Sequence, residues 1–374
     1  MLVRELKLKP NKSQEEQLNT MLFQCTGLHN LILRRIKQDA KNKIYHTKYS
    51  LFNQFAGHSK KTDLHSRTIQ AVIEQAYLSW DRCFKKIAKE PKLKSIRNQI
   101  SSISFPDPIK RNKITNKIIR IPLIGKTRYY AQILPEGNIK TARVIKRASG
   151  WYIQLNINAK HQFTVKDTQE KVGIDTGFTH LAVLSNGTKI ENPRNYIRGQ
   201  KRLAQAQKGL RKRLVSRLHE RIKNRRKDYN HKVSRKIIED YSEIYITKDN
   251  LRNQSKIFGK SVSDAGISQL RNFLIYKGEN HGRKVKLVDS KNSTMTCSDC
   301  GALTGPTGLS GLAVRQWGCV CGTLHDRDIN SARVTLNVGL GINLVLGKEL
   351  RSLPNLNRNP TDLSVGGSIL MEEK

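Results

Sequence analysis

Val172-Gly173-Ile174-Asp175-Thr176-Gly177-Phe178, running on to Leu181-Ala182-Val183-Leu184, decides how this chain is read. An apolar run ends on one aspartate, a glycine-containing turn follows, and a second apolar run returns. That pattern predicts a β-hairpin with a carboxylate at the rim of a sheet. One carboxylate makes no site. The question for the remaining residues is whether other acids arrive from distant parts of the chain.

The composition limits the partners. The chain has 374 residues, with 69 Lys plus Arg against 30 Asp plus Glu, a formal net charge of +39. So large a surplus repels itself unless a polyanion neutralises it. Nucleic acid is the first choice. A membrane surface ranks behind it, because the basic segments lack an accompanying Trp- and Phe-rich face. No window of about 20 apolar residues occurs, so no membrane span is expected. The start, Met1-Leu-Val-Arg-Glu-Leu-Lys7, lacks a signal-peptide core. The expectation is a cytoplasmic, nucleoid-associated bacterial or archaeal protein.

In the N-terminal part, residues 2–8 alternate apolar and basic, as a short strand does. Ser13-Gln-Glu-Glu16 reads as a capping box. Leu18, Met21, Leu22, Cys25, Leu28, Leu31 and Ile32 then recur at helical spacing, to about Lys37. Residues 64–89 give a second amphipathic helix. From about residue 97 the period shortens to that of strands, in 100–105, 117–121, 143–146 and 151–157. A small barrel with a helical insertion is the predicted arrangement.

Beyond the hairpin, Arg198 to Lys236 is densely basic and includes Arg211-Lys212-Arg213 and Lys223-Asn-Arg225-Arg226-Lys227. A solvated charged helix is the ordinary reading of such a run. Its length and single sign favour contact with a nucleic-acid backbone. Leu203, Leu210, Leu214 and Leu218 give it an apolar stripe.

Four of the six cysteines cluster as Cys297-x-x-Cys300 and Cys319-x-Cys321. The first pair, with Gly301, has the bite of a zinc knuckle. The second is one residue short of C-x-x-C, and Gly318 and Gly322 leave its backbone free to close around a metal. His325 is an alternative to one of the second pair. Four ligands fill the coordination shell, so the zinc is expected to be structural. Cys25 and Cys83 read as helix core residues. Immediately after comes His325-Asp-Arg-Asp328-Ile-Asn330, in which Asp328 opens a helix, where a carboxylate also suits the helix dipole.

Together these residues resemble the transposon-encoded TnpB family, related to the type V CRISPR effectors. The resemblance rests on Gly173-Ile-Asp175-x-Gly177, Asp228-x-x-His231-Lys232-x-Ser234, Ser263-Asp-Ala-Gly266, the cysteine module and Asp326-Arg-Asp328-x-Asn330. It covers about 170–340 closely and 1–169 in architecture only. It implies an α/β multidomain chain with a wedge-type β-barrel (1–12 and 97–168) and a helical recognition insert (13–96). An RNase H-like RuvC nuclease domain (169–289 and 325–345) follows, interrupted by a zinc ribbon (290–324), and 346–374 form a tail. The implied partners are a guide RNA and a target double-stranded DNA, with Mg²⁺ held by Asp, Glu and Asp if the nuclease is active. Asp175 and Asp328 match the first and third acids. Arg67 and Gln70 fall roughly where the family reads a short flanking motif, and glutamine suits adenine. Lys232 lies within the basic helix motif.

The second acid is where this chain departs. Counted at the family's spacing, its position falls on Lys248, and a slip of one residue recruits Asp249. With Lys248 facing the metal site, an unbroken strand turns Asp249 away, and only a bulge restores the acid. An ammonium cannot ligate Mg²⁺. The expectation is therefore a protein resembling nuclease-dead TnpB-like repressors, which binds guide-matched DNA without cutting and so blocks transcription. The alternative is an active Mg²⁺-dependent RNA-guided endonuclease using Asp249.

Overall fold

A strand, a helical excursion and five more strands build the first half of the chain. The structure, a computed structural model, describes residues 1–95, 98–107, 109–110, 113–159, 163–289, 291–308 and 310–342. The tail assigned to 346–374, and residues 343–345 of the nuclease-domain assignment, lie outside the described residues. The chain divides into two compact units, residues 1–162 and 163–374.

The first unit contains β1 (Leu2–Lys9), α1 (Lys12–Lys41), α2 (Lys48–Gln54), α3 (Ser66–Phe84), β2 (Ser102–Phe105), β3 (Ile118–Ile121), β4 (Gly125–Tyr129), β5 (Asn138–Arg147) and β6 (Gly150–Asn158). The strands form one antiparallel sheet in the order β2-β5-β6-β1-β4-β3. It is open at β2 and β3, so the expected barrel is a half-barrel. Alternate residues such as Leu6, Leu8, Ile153, Leu155 and Ile157 are buried, as period-two strands with one face on a core require. Leu18, Met21, Leu22 and Cys25 of α1 and Ile69, Val72, Ile73 and Ala76 of α3 join the same core. Burial pushes the Cys25 thiol up to about 12, which leaves it an inert core residue.

The cap of α1 differs from the expected Ser13–Glu16 box. Asn11 accepts from the Gln14 N–H at 2.8 Å, and Gln14 Oε1 accepts from the Asn11 N–H at 3.1 Å. The box sits two residues earlier, because Gln14 also donates to Lys126 O at 2.9 Å and so ties the helix start to β4.

The second unit has β7 (Lys171–Asp175), β8 (His180–Leu184), β9 (Lys189–Glu191), α4 (Asn195–Lys208), α5 (Lys212–Asp240), β10 (Glu243–Thr247), α6 (Leu251–Ala265), α7 (Ile267–His281), β11 (Lys284–Val288), β12 (Gln316–Gly318), β13 (Leu324–Asp326) and α8 (Arg327–Leu340). Its main sheet runs β11-β10-β7-β8-β9. β7, β10 and β11 are parallel, while β8 and β9 return antiparallel. Val172, Ile174, Ile244 and Ile246 share a core with Ile237 and Ile238 of α5 and Leu270 and Leu274 of α7.

Helix α8 lies on β7 and β10, and glycines permit the approach. A Cβ on Gly173 would stand 2.1 Å from Ala332 O, and one on Gly339 would stand 2.2 Å from the Tyr245 ring. Gly173 and its lateral neighbour Tyr245 thus mark the α8 side of the sheet, since the two pair in register.

The basic run is two helices, not one. α4 ends at Gly209, and Leu210 turns the chain with φ +51°. Leu210 is 80% exposed, so it drops out of the expected stripe. Leu203 and Ala206 pack on Leu218, with Tyr196, Leu214 and Val215 alongside. Among the described residues no helix is long and apolar enough to cross a membrane.

Candidate functional site

The parallel strands β7 and β10 end side by side, and the site is built where they stop. Asp175 closes β7 on the α8 side, two residues beyond Gly173. On β10 the same alternation carries Tyr245 and Thr247 to that side, while Ile244 and Ile246 point into the opposite core; Asp249 lies two residues beyond the end of the strand, bonded to Thr176 and to Arg271 of α7. Thr247 Oγ1 donates to Asp249 Oδ2 at 3.2 Å, and Thr176 Oγ1 donates to the same oxygen at 3.0 Å.

Lys248 and Asp249 follow the end of β10 at Thr247. The Lys248 N–H donates to Val288 O at 2.7 Å, and Lys248 is exposed while Asp249 is half-buried.

Asp328 arrives from the first turn of α8. Asp326 caps that helix, accepting from the N–H groups of Asp328 and Ile329 at 3.1 Å each. Burial pushes the Asp175 carboxyl up to about 8, and the charges of Asp249 and Asp328 add to the shift. The Ser331 hydroxyl and the Arg327 charge act in the opposite sense. Asp249 and Asp328 are therefore both near enough to act on Asp175. Yet they do not converge: the described residues whose ligand atoms gather in threes or more within 4.8 Å are all in the cysteine module. Burial first and the two nearby carboxylates next disfavour the charged form of Asp175, and a divalent cation beside it would offset the repulsion from Asp249 and Asp328.

Three further residues at the site escaped the sequence reading. Arg271 of α7 places Nη2 2.5 Å from Asp249 Oδ2 and 3.1 Å from Thr176 Oγ1. His180 Nδ1 is 3.9 Å from Asp328 Oδ2, and Arg315 Nη1 is 3.5 Å from the same oxygen. No local motif marks them, since each comes from a different element.

In the cysteine module the Sγ atoms of Cys297, Cys300, Cys319 and Cys321 all lie within 4.8 Å of one another. Gly301 at φ +80° and Gly322 at φ +87° turn the two knuckles, a backbone region that favours glycine. The short Cys319-x-Cys321 bite therefore still closes, and four cysteines together can hold a metal. His325 is also present: its Nε2 is 3.0 Å from Cys297 Sγ and its ring lies against Trp317. Asn330 fastens this module to α8, donating to Thr296 O at 2.7 Å and accepting from Ser298 N–H at 2.8 Å.

The basic residues divide by exposure. Arg211, Lys212, Arg213, Lys223, Arg225 and Lys227 are exposed on the α4–α5 hairpin. Arg226 is half-buried and donates to Ser263 O, so it is a clamp between α5 and α6. Lys232 pairs with Asp228 at 2.8 Å on the helix surface. His231 stacks on Phe273, and Lys277 donates to His231 O and Ser234 Oγ at 2.7 and 2.8 Å, so this motif packs α5 on α7. In the first unit Arg67 Nη1 donates to Gln70 Oε1 at 3.1 Å, and Arg67 lines an open cleft of about 380 Å³ with Lys113 and Arg120.

Residues 154–257 match the family described as "Probable transposase", and residues 268–335 match "Cas12f1-like, TNB domain". The chain is 30% identical to a "Putative RNA-guided DNA endonuclease" of Streptomyces pristinaespiralis, over 75% of this chain and 73% of that one. It is 26% identical to the "Putative RNA-guided DNA endonuclease InsQ" of Escherichia coli (strain K12), over 96% of this chain and 97% of that one. Among solved structures, a Cas12f1-sgRNA-target DNA complex is similar at 16% identity and a TM-score of 0.37, covering 90% of this chain and 99% of that one. With the hairpin aspartate, the cysteine module and the Asp328 helix in the expected order, the chain belongs to the TnpB family.

Proposed function

We propose that this protein is an RNA-guided DNA endonuclease whose divalent-cation site is formed by Asp175, Asp249 and Asp328. The observation that carries the reading is the hydrogen bond from Thr176, the neighbour of Asp175, to Asp249, with Lys248 exposed. The guide RNA and the target double-stranded DNA are the polyanions that a charge of +39 calls for. Base pairing with the guide reads sequence, while the protein reads duplex shape and a short flanking motif, with Arg67 and Gln70 as candidate contacts. Magnesium, when bound, supplies Lewis-acid stabilisation of the phosphate and an activated water. Zinc in the four-cysteine cluster is structural, since the sulfurs fill a tetrahedral shell. Such partners put the protein with the nucleoid of a bacterial or archaeal cytoplasm.

A second reading keeps guided binding and drops cutting, so that the bound complex represses transcription. One feature favours it: Asp249 Oδ2 is already engaged by Arg271 and two threonine hydroxyls. Aspartate is also a methylene shorter than the family's glutamate. One gel separates the readings. On a guide-matched duplex with Mg²⁺ or Mn²⁺, the native chain should cut, Asp249→Ala should not, and Lys248→Glu should change little. An uncut duplex with the native chain, and cleavage gained in Lys248→Glu, would establish the repressor instead.

A further inference from the structure

Three tryptophans occur in the chain, and two are shut in: Trp151 and Trp317 are 3% exposed each. Trp80, near the end of α3, is different. It packs on the core of the first unit and also lines an open cleft of about 550 Å³ against α1. That volume falls within the roughly 300–1,000 Å³ of small-ligand sites. The facing wall is one side of α1, where Arg34, Lys37, Gln38 and Lys41 stand at i, i+3, i+4 and i+7. Ile32 and Ile36 take the core side of the same helix. Glu90 closes the cleft and pairs with Lys37 at 2.6 Å. Arg34 and Lys41 are exposed and have no ion pair among the described residues. Three cations against one carboxylate leave the cleft positive. Lys41 also suits the negative end of the helix dipole, but Arg34 lies about two turns further back, beyond that dipole's reach.

We propose that this cleft holds one unpaired nucleotide of a bound strand, its base on Trp80 and its two flanking phosphates at Arg34 and Lys41. The chemistry of the walls selects that occupant. An apolar peptide is a poor match for a positive cleft, and a bare anion leaves the indole unused. A base stacked inside a duplex cannot lay its face on a side chain, so the nucleotide must be unpaired. An indole accepts the face of any base, and the Gln38 amide beside it suits adenine. The two unpaired cations lie on either side of the Lys37–Glu90 pair, one for the phosphate before the base and one for the phosphate after it. Only the source of the nucleotide, a bound guide RNA, rests on the function proposed above.

Intrinsic fluorescence tests this, because the other two indoles are buried. The full chain, stripped of RNA at high salt, is titrated with adenosine 3′,5′-bisphosphate, with tripolyphosphate as the charge-only control. Saturable quenching by the nucleotide, and none by tripolyphosphate, is expected. Arg34→Gln combined with Lys41→Gln should weaken binding about tenfold, and Glu90→Gln should tighten it. Trp80→Leu should abolish the quench and weaken binding of the labelled nucleotide in equilibrium dialysis by about ten- to a hundredfold. No saturable quench, an equal quench by tripolyphosphate, or full affinity in the double variant would overturn the proposal. If Trp80→Leu does not fold, the double variant, at exposed positions, decides it. The chain carrying its copurified RNA then tests the source. There the nucleotide should no longer quench, and ultraviolet crosslinking should join the RNA to Trp80; an undiminished quench would overturn the bound strand as occupant. A chain that binds the nucleotide but retains no guide RNA would sink the guided reading and leave the cleft standing.

Discussion

Gly173 and Ala332 are so close that a Cβ on the glycine would stand 2.1 Å from the alanine carbonyl oxygen, and 2.6 Å from the Leu336 nitrogen. The glycine of the hairpin motif is therefore required by a helix about 160 residues later, not by its own strand. Its φ is not in the left-handed region, so the constraint is space. Gly173→Ala should push α8 off β7 and carry Asp328 away from Asp175. An overpacking cost of about 1–3 kcal/mol is expected, read as a lower denaturation midpoint. Gly282→Ala is a poor control because of its positive φ; Gly259→Ala, with open space around it, should leave the midpoint nearly unchanged.

Asp175 makes stability depend on pH. Its folded value of about 8 lies above the usual carboxylate range, through burial first and the charges of Asp249 and Asp328 next. The folded chain then keeps a proton that the unfolded chain loses. The contribution is fully present below the unfolded value, and it is lost as pH rises through about 8. Without added divalent cation, the native protein should lose stability relative to Asp175→Asn between pH 5 and pH 9, with the difference flattening above about 8. Thermal melts of both proteins across that range check it. A cation must displace the proton, so Mn²⁺ affinity should rise with pH up to the same point. A stability difference that does not change with pH would show that burial does not control this carboxyl.

Much of the site could be read from the chain because it is local. The Asp175 hairpin, each cysteine pair and the helix start at Asp326 and Asp328 are each written within a dozen residues. The setting of Asp249 is not local in that sense. It depends on Thr176 and Arg271, which hold Asp249 from other elements, and no spacing near Lys248 reports those contacts. The half-barrel, the turn at Leu210 and the Arg226 clamp were missed for the same kind of reason. A period-two pattern does not say whether a sheet closes. A single leucine at φ +51° looks like any other stripe residue, and an arginine in a basic run looks like its neighbours.

The cysteine module should act on the acid site through Asn330. That side chain spans from α8 to the loop at Thr296 and Ser298, two residues from Asp328. One tightly held zinc per chain is expected by elemental analysis. Cys297→Ser or Cys300→Ser should lose it and loosen the module, because metal binding supplies folding energy to so small a unit. Cys25→Ser should keep the zinc. Asn330→Ala should keep it too, but lose about 1–3 kcal/mol from two unsatisfied backbone groups. It should also speed amide exchange at the start of α8. Unchanged exchange there, with zinc retained, would mean that the module and Asp328 are uncoupled.

Exposure sorts the basic residues into two classes with opposite phenotypes. Lys223, Arg225 and Lys227 are exposed on α5, whereas Arg226 between them is tied to Ser263 O and packs over Gly266. Neutralising the three exposed residues together as glutamines should weaken RNA binding and reduce the slope of log affinity against log salt by about 2. The melting temperature should hardly move. Arg226→Gln should do the reverse, lowering the melting temperature while leaving the salt slope nearly intact. The RNA that survives a high-salt wash should be one enriched species, since guided recognition needs a defined guide. A random sample of cellular RNA, released equally from native and triple-variant protein, would leave this hairpin as a general polyanion surface.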